Sequence, residues 1–118
     1  MTISKIISLL NADTLSDIID LDRNIETVCG SDMMSDVLAF IKKDSILLTG
    51  LNNLQVIRTA EMLDIVCLIF VRGKVPSREM LEKAKELGIY ILATDLTMFE
   101  ACGILYEAGL RGGKRANE

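Results

Sequence analysis

The stretch that most constrains this chain is Ile65-Val66-Cys67-Leu68-Ile69-Phe70-Val71, an unbroken apolar run bounded by Asp64 and by Arg72-Gly73. Alternating polarity marks a strand with one wet face, whereas a short continuous run rich in β-branched residues fits a strand covered on both faces. Such a strand needs partners on either side and helices above and below it. The run therefore predicts an α/β domain, a three-layer sandwich around a mainly parallel central sheet.

The flanking sequence supplies those parts. Residues 25–29, 45–49 and 89–94 read as further strands, and residues 33–42, 54–63, 78–87 and 98–108 as helices. Turn residues separate them: Gly30-Ser31-Asp32, Gly50-Leu51-Asn52-Asn53, and Arg72-Gly73-Lys74-Val75-Pro76-Ser77. Gly88 can close one helix in the left-handed conformation, Thr97 with Glu100 forms a capping box for the last, and Gly109 closes it. At the start, Thr2 caps a helix with Ile3, Ile6, Ile7 and Leu10 on one face, stopped by Asn11 and Asp13. Residues 14–22 fit either a short strand or a helical turn. Strands alternating with helices through short loops give right-handed βαβ crossovers. With 118 residues the chain fits a single domain over 1–118, comprising a helix and lead-in over 1–26 and a flexible tail over 110–118.

Two helices are apolar around most of their circumference. One carries Met33, Met34, Val37, Leu38, Ala39, Phe40 and Ile41, the other Met98, Phe99, Ala101, Cys102, Ile104, Leu105 and Tyr106. A helix apolar on more than one face must bury more than one face. Burial within the monomer would do this, and so would a homodimer using one of these helices, which is the expectation favoured here.

Charge and composition exclude several classes. The net charge is −4 with no histidine, and Arg111, Lys114 and Arg115 near the end are the only local basic excess, so nucleic acid is not an expected partner. Cys29, Cys67 and Cys102 are far apart with no CxxC and no histidine, which argues against a metal site and for a reducing compartment. No segment reaches membrane-spanning length and the start lacks a signal peptide's apolar core, so a cytoplasmic protein without membrane contact is expected. The glycines of residues 109–115 have the wrong spacing for a phosphate loop, and no GxGxxG follows a strand. No cofactor is expected. Cys29 at a strand end could feel a helix N-terminus, but no base accompanies it, and a structural thiol is the preferred reading.

In a parallel sheet all strand C-termini share one edge, where ligands tend to bind. That edge would gather Ser31 and Asp32; Thr49, Gly50, Asn52 and Asn53; Arg72, Gly73 and Lys74; and Thr94, Asp95 and Thr97. Glycine backbone N–H groups, hydroxyls, amides and two cations suit a phosphorylated or carboxylated small ligand. Ordinary turn and cap roles account for the same residue types. A different class, a small phosphoryl-transfer or lyase enzyme, would use Asp95 with Arg72 or Lys74.

At these loops, from about residue 27 to 109, the chain resembles the DRTGG domain. The likeness rests on Asp22-Arg23, Ile46-Leu47-Leu48-Thr49-Gly50, Leu68-Ile69-Phe70-Val71-Arg72-Gly73-Lys74-Val75-Pro76, Leu87-Gly88-Ile89-Tyr90-Ile91-Leu92-Ala93-Thr94 and Thr97-Met98-Phe99-Glu100. The pattern is also similar to the amino-terminal domain of HPr kinase/phosphorylase, and implies a fold of the MurF and HPr-kinase N-domain kind. With the first helix included, the likeness covers nearly the whole chain. The family's Thr-Gly-Gly style turn reads Val71-Arg72-Gly73 here, so a backbone contact that depends on glycine at 72 is not expected and a cation is added. The resemblance implies a non-catalytic regulatory domain. In larger members it accompanies CBS domains of a pyrophosphatase or a phosphotransacetylase region, forms a dimer interface and takes part in adenine-nucleotide sensing. Here it would report through its own dimer or act on a partner protein.

Overall fold

The computed structural model describes residues 1–112. In chain order the elements are α1 (Ile3–Leu10), β1 (Asp13–Thr14), β2 (Val28–Gly30), α2 (Met34–Phe40), β3 (Ile46–Thr49), α3 (Leu54–Met62), β4 (Cys67–Phe70), α4 (Arg78–Leu87), β5 (Tyr90–Ala93) and α5 (Met98–Glu107). They form one five-stranded sheet in the order β1-β5-β4-β3-β2. Strands β2 to β5 are parallel, with Cys29 level with Leu47, Leu47 with Leu68 and Leu68 with Ile91. The long apolar run is the central strand, β4.

Period-two alternation sorts each strand between two cores. Ile46, Leu48, Cys67, Ile69 and Leu92 point to the layer containing α1 and α5. Leu47, Leu68, Phe70, Ile91 and Ala93 point to the layer containing α2, α3 and α4. The strand order advances one position at each βαβ step, and same-handed crossovers place all three connecting helices on one face. The opposite face must then be covered by α1 and α5, the helices outside the crossovers. Ile3, Ile6 and Leu10 of α1 and Ala101 and Leu105 of α5 are buried there.

Local chemistry sets the helix ends. Thr2, Asn53, Ser77 and Thr97 each accept a bond from a first-turn backbone N–H. Asn11 and Gly88 close α1 and α4 in the left-handed conformation. Of the expected capping box the Thr97 half is formed, with Glu100 N–H donating to Thr97 Oγ1 at 3.3 Å, while the Glu100 carboxylate accepts from the Thr97 hydroxyl at 3.2 Å.

Residues 14–22 resolve as neither a full strand nor a helical turn. Asp13 and Thr14 pair antiparallel with Ala93 and Leu92. Leu15 N–H then bonds Ile91 C=O, and Ile91 N–H donates to Ser16 Oγ at 2.7 Å before the chain leaves the sheet. This antiparallel edge closes one side of β5. The first two residues of the tail expected over 110–118 are held against the domain. Leu110 is buried, Arg111 bridges to Thr27 and stacks 3.9 Å over the Tyr106 ring, and its carbonyl accepts from Val28 N–H. An apolar side chain at 110 and a cation beside an aromatic ring at 111 hold this stretch against the domain. Residues 113–118, with Lys114 and Arg115, lie outside the described residues.

One buried polar contact ties the first helix to the sheet. Thr94 Oγ1 donates to Leu10 C=O at 2.8 Å, and Thr94 is buried. Thr94→Val keeps the shape and leaves that carbonyl unpaired, so urea unfolding should show a loss of about 1–3 kcal/mol. An unchanged midpoint would contradict this role.

Candidate functional site

Because β2 to β5 are parallel, the structure brings every residue proposed from the sequence to one rim, at the strand C-termini. Their polar groups are largely engaged within the protein. Ser31 Oγ accepts from Met33 N–H, Asn53 caps α3, Thr97 caps α5, and Asn52 Nδ2 donates to Val75 C=O at 2.7 Å. Thr94 is turned into the core. Gly73 N–H donates to Thr94 C=O and Arg72 N–H to Leu96 C=O, so neither amide is open to a ligand.

The centre of the rim is a convergence on Asp32. Its Oδ1 accepts from Gly50 N–H at 2.6 Å and from Thr49 Oγ1 at 3.2 Å. Its Oδ2 faces Arg72 Nη2 at 3.5 Å. The three loops following β2, β3 and β4 thus meet at one carboxylate. Arg72 and Asp32 are both about half exposed, which places their ion pair in the range of a few tenths to about 1 kcal/mol.

Two backbone features make the convergence possible. Arg72 has φ +59°, a conformation costing a residue with a Cβ roughly 1–2 kcal/mol. Among the described residues the other non-glycine positions with positive φ are Asn11, Asp44 and Asp64, types that tolerate it better. The turn therefore keeps a glycine-like backbone at 72 while carrying a guanidinium. That guanidinium lies across Gly50, where the atoms nearest to an added Cβ would be those of the Arg72 guanidinium.

Asp95 and Lys74 flank the centre, and both are exposed. Arg72 makes its ion pair with Asp32, not with Asp95. Among the described residues no group of three His, Cys, Asp or Glu is placed to hold a metal ion. Burial raises the pKa of all three thiols. For Cys29, nearby Cys102 and Asp36 add to the effect, and Cys67 is fully enclosed. A raised thiol pKa means less thiolate at neutral pH, the reverse of what an activated cysteine needs.

A cleft of about 630 Å3 lies elsewhere, between residues 15–18 and α4, with Leu15, Leu81, Ile89 and Tyr90 on its walls and the Lys85–Asp17 ion pair at its mouth. Sequence reasoning did not point to it. It exists because β1 stops early, and no periodicity signals where an edge strand peels away. Cations are paired in both places, Arg72 with Asp32 at the rim and Lys85 and Arg78 with Asp17 and Glu82 at the cleft; the rim is the better candidate for an anion because its donors converge on a single carboxylate-sized position.

The architecture is that of a three-layer α/β domain with a mostly parallel sheet. The chain belongs to the DRTGG domain family, whose model matches residues 5–108. Its fold is similar to the CBS and DRTGG domains of the regulatory region of Clostridium perfringens pyrophosphatase, a structure complexed with its activator, diadenosine tetraphosphate. The TM-score is 0.73 at 23% identity, over 88% of this chain and 45% of that one, so the present chain spans less than half of that region. No curated protein matches it in sequence. No helix among the described residues is long and apolar enough to cross a membrane.

Two outcomes follow from the site. Gly50→Ala should displace the Arg72 side chain instead of unfolding the loop, costing less than about 1 kcal/mol in denaturant titration; a loss of several would show that the guanidinium cannot yield. At pH 7.5 a chromogenic thiol reagent should modify Cys29 and Cys102 more slowly than free cysteine, and Cys67 only on unfolding. Rapid modification of any of the three would contradict the burial described.

Proposed function

We propose that this chain is a non-catalytic regulatory domain, working as a homodimer, that senses a small anionic ligand, adenine nucleotides foremost, and passes the signal to a catalytic partner in the same or another chain. The observation that carries the reading is the rim centre. A backbone N–H and a hydroxyl from the end of β3 and a guanidinium from the β4 loop converge on one oxyanion position, filled here by the Asp32 carboxylate, and Lys74 adds charge beside them. Family membership supports the regulatory role, and the activator bound to the pyrophosphatase regulatory region supports a nucleotide as the first ligand class to try. What supports the non-catalytic reading over an enzyme using Asp95 with Arg72 is that Arg72 makes its ion pair with Asp32.

The dimer is supported by apolar surface the monomer leaves uncovered. Helices α5 and α2 lie in opposite layers of the sheet. Met33, Leu38 and Phe40 in or next to α2, and Phe99 and Tyr106 of α5, are exposed, Phe99 to 88%. A symmetric contact through one of these helices would cover such side chains.

Thermal unfolding against diadenosine tetraphosphate, adenosine mono-, di- and triphosphates and phosphorylated metabolites tests the ligand. A binder at a hundred times its Kd adds about 2.7 kcal/mol and raises the midpoint, and flat responses throughout would overturn the anion reading. Light scattering tests the dimer. The wild type should show twice the monomer mass and Phe99→Asp a shift toward monomer, whereas a strictly monomeric wild type at high concentration would remove the claim.

A further inference from the structure

We propose that Asp32 is a built-in occupant of the rim's oxyanion position, and that its displacement by a ligand anion couples that site to the surface presented by α2. The inference rests on the reading of the rim as an anion site and adds how that site is regulated. Asp32 receives the hydrogen bonds and the guanidinium that an incoming phosphate or carboxylate would use: Gly50 N–H at 2.6 Å, Thr49 Oγ1 at 3.2 Å and Arg72 Nη2 at 3.5 Å. Donors and guanidinium come from the β3 and β4 loops, the carboxylate from the β2 loop. The two sides of the contact therefore belong to different segments and can separate. A ligand oxyanion cannot share this position with Asp32, because two negative charges would then compete for one set of donors.

The segment carrying Asp32 is lightly anchored. Asp32 is followed directly by Met33 and α2. That helix has seven residues, buries only Met34 and Val37, and has no side-chain bond at its N-cap. By contrast α3 is capped by Asn53 and buries Val56, Ile57, Thr59 and Ala60. Segments with few buried contacts open at lower cost. The same short helix carries or adjoins the exposed Met33, Leu38 and Phe40. Release of Asp32 thus frees the element that presents these exposed apolar side chains. The contact is a two-position switch: with Asp32 seated, α2 is held in the arrangement described, and with an anion seated, α2 is released. By linkage, whatever the anion does to dimer affinity, the dimer does to anion affinity.

The test uses inorganic phosphate as the probe on the full chain. Asp32→Ala empties the position, and the milder Asp32→Asn keeps its shape without the charge should the alanine variant fold poorly. Phosphate is titrated while the Gly50 amide resonance is followed, and the dimer constant is measured by sedimentation. The proposal predicts at least tenfold tighter phosphate binding in either variant than in wild type, lost again when Arg72→Ala is added. It also predicts that the phosphate-free Asp32→Ala dimer constant approaches that of phosphate-saturated wild type. If wild type and folded variants bind phosphate equally, the latch is wrong while the anion site stands. If phosphate binding tightens but the dimer constant moves in neither case, the coupling is overturned. If wild type and both variants leave the Gly50 resonance unmoved, the anion site fails and the latch with it.

Discussion

Burial of β3, β4 and β5 on both faces is the constraint from which the rest of the molecule follows. With these strands apolar apart from Thr49 at the rim end of β3, neither face can meet water. A run of same-handed crossovers can cover only one of them. The first and last helices must cover the other, and they do so from outside the crossovers. This is why α1 carries Ile3, Ile6 and Leu10 inward, and why α5 folds back beside it with Ala101 and Leu105. The buried bond from Thr94 to the carbonyl of Leu10 joins the end of α1 to the last strand. The short β1 uses the same return of the chain to cover the otherwise open edge of β5.

Parallel strands also concentrate their polar loop residues on one rim. In this chain the rim is not an open array of donors. Caps and turns use most of the hydroxyls and amides, and the donors that remain at the centre are taken by the carboxylate of Asp32. The site is therefore self-occupied, which suits a sensor more than a catalyst. On the latch proposed above, it holds an internal anion whose replacement changes how an attached helix is held.

Much of the architecture was legible because it rests on periodicity and punctuation. The helix Arg78–Leu87 has the bounds expected, fixed by Ser77 at one end and Gly88 at the other. The strands are shorter than their apolar runs because flanking apolar residues such as Val66 and Val71 stay buried beyond the ladder. Helix α2 is shorter as well, ending before an extended Ile41, and its apolar circumference reflects surface left exposed. Membership of the rim was legible from topology alone. Its wiring was not: Asp32 meets Gly50 and Arg72 across 18 and 40 positions of sequence, and only the packed loops bring them together. Strand β1 and the cleft beside it left no sequence signal, since Asp13-Thr14 is a strand by virtue of its partner. Leu110 and Arg111 read as tail because their neighbours are glycines and cations, although each has its own contact with the domain.

The central claim is that the strand-end rim, and not the cleft beside α4, is where this domain meets an anionic ligand. Hydrogen exchange of the full chain with and without saturating diadenosine tetraphosphate tests it most directly. The account predicts slower exchange in the loops at 49–53 and 72–75, together with a change, in either direction, at 31–40. Slowing confined to residues 15–18 and 81–90, with the rim loops unaltered, would contradict it.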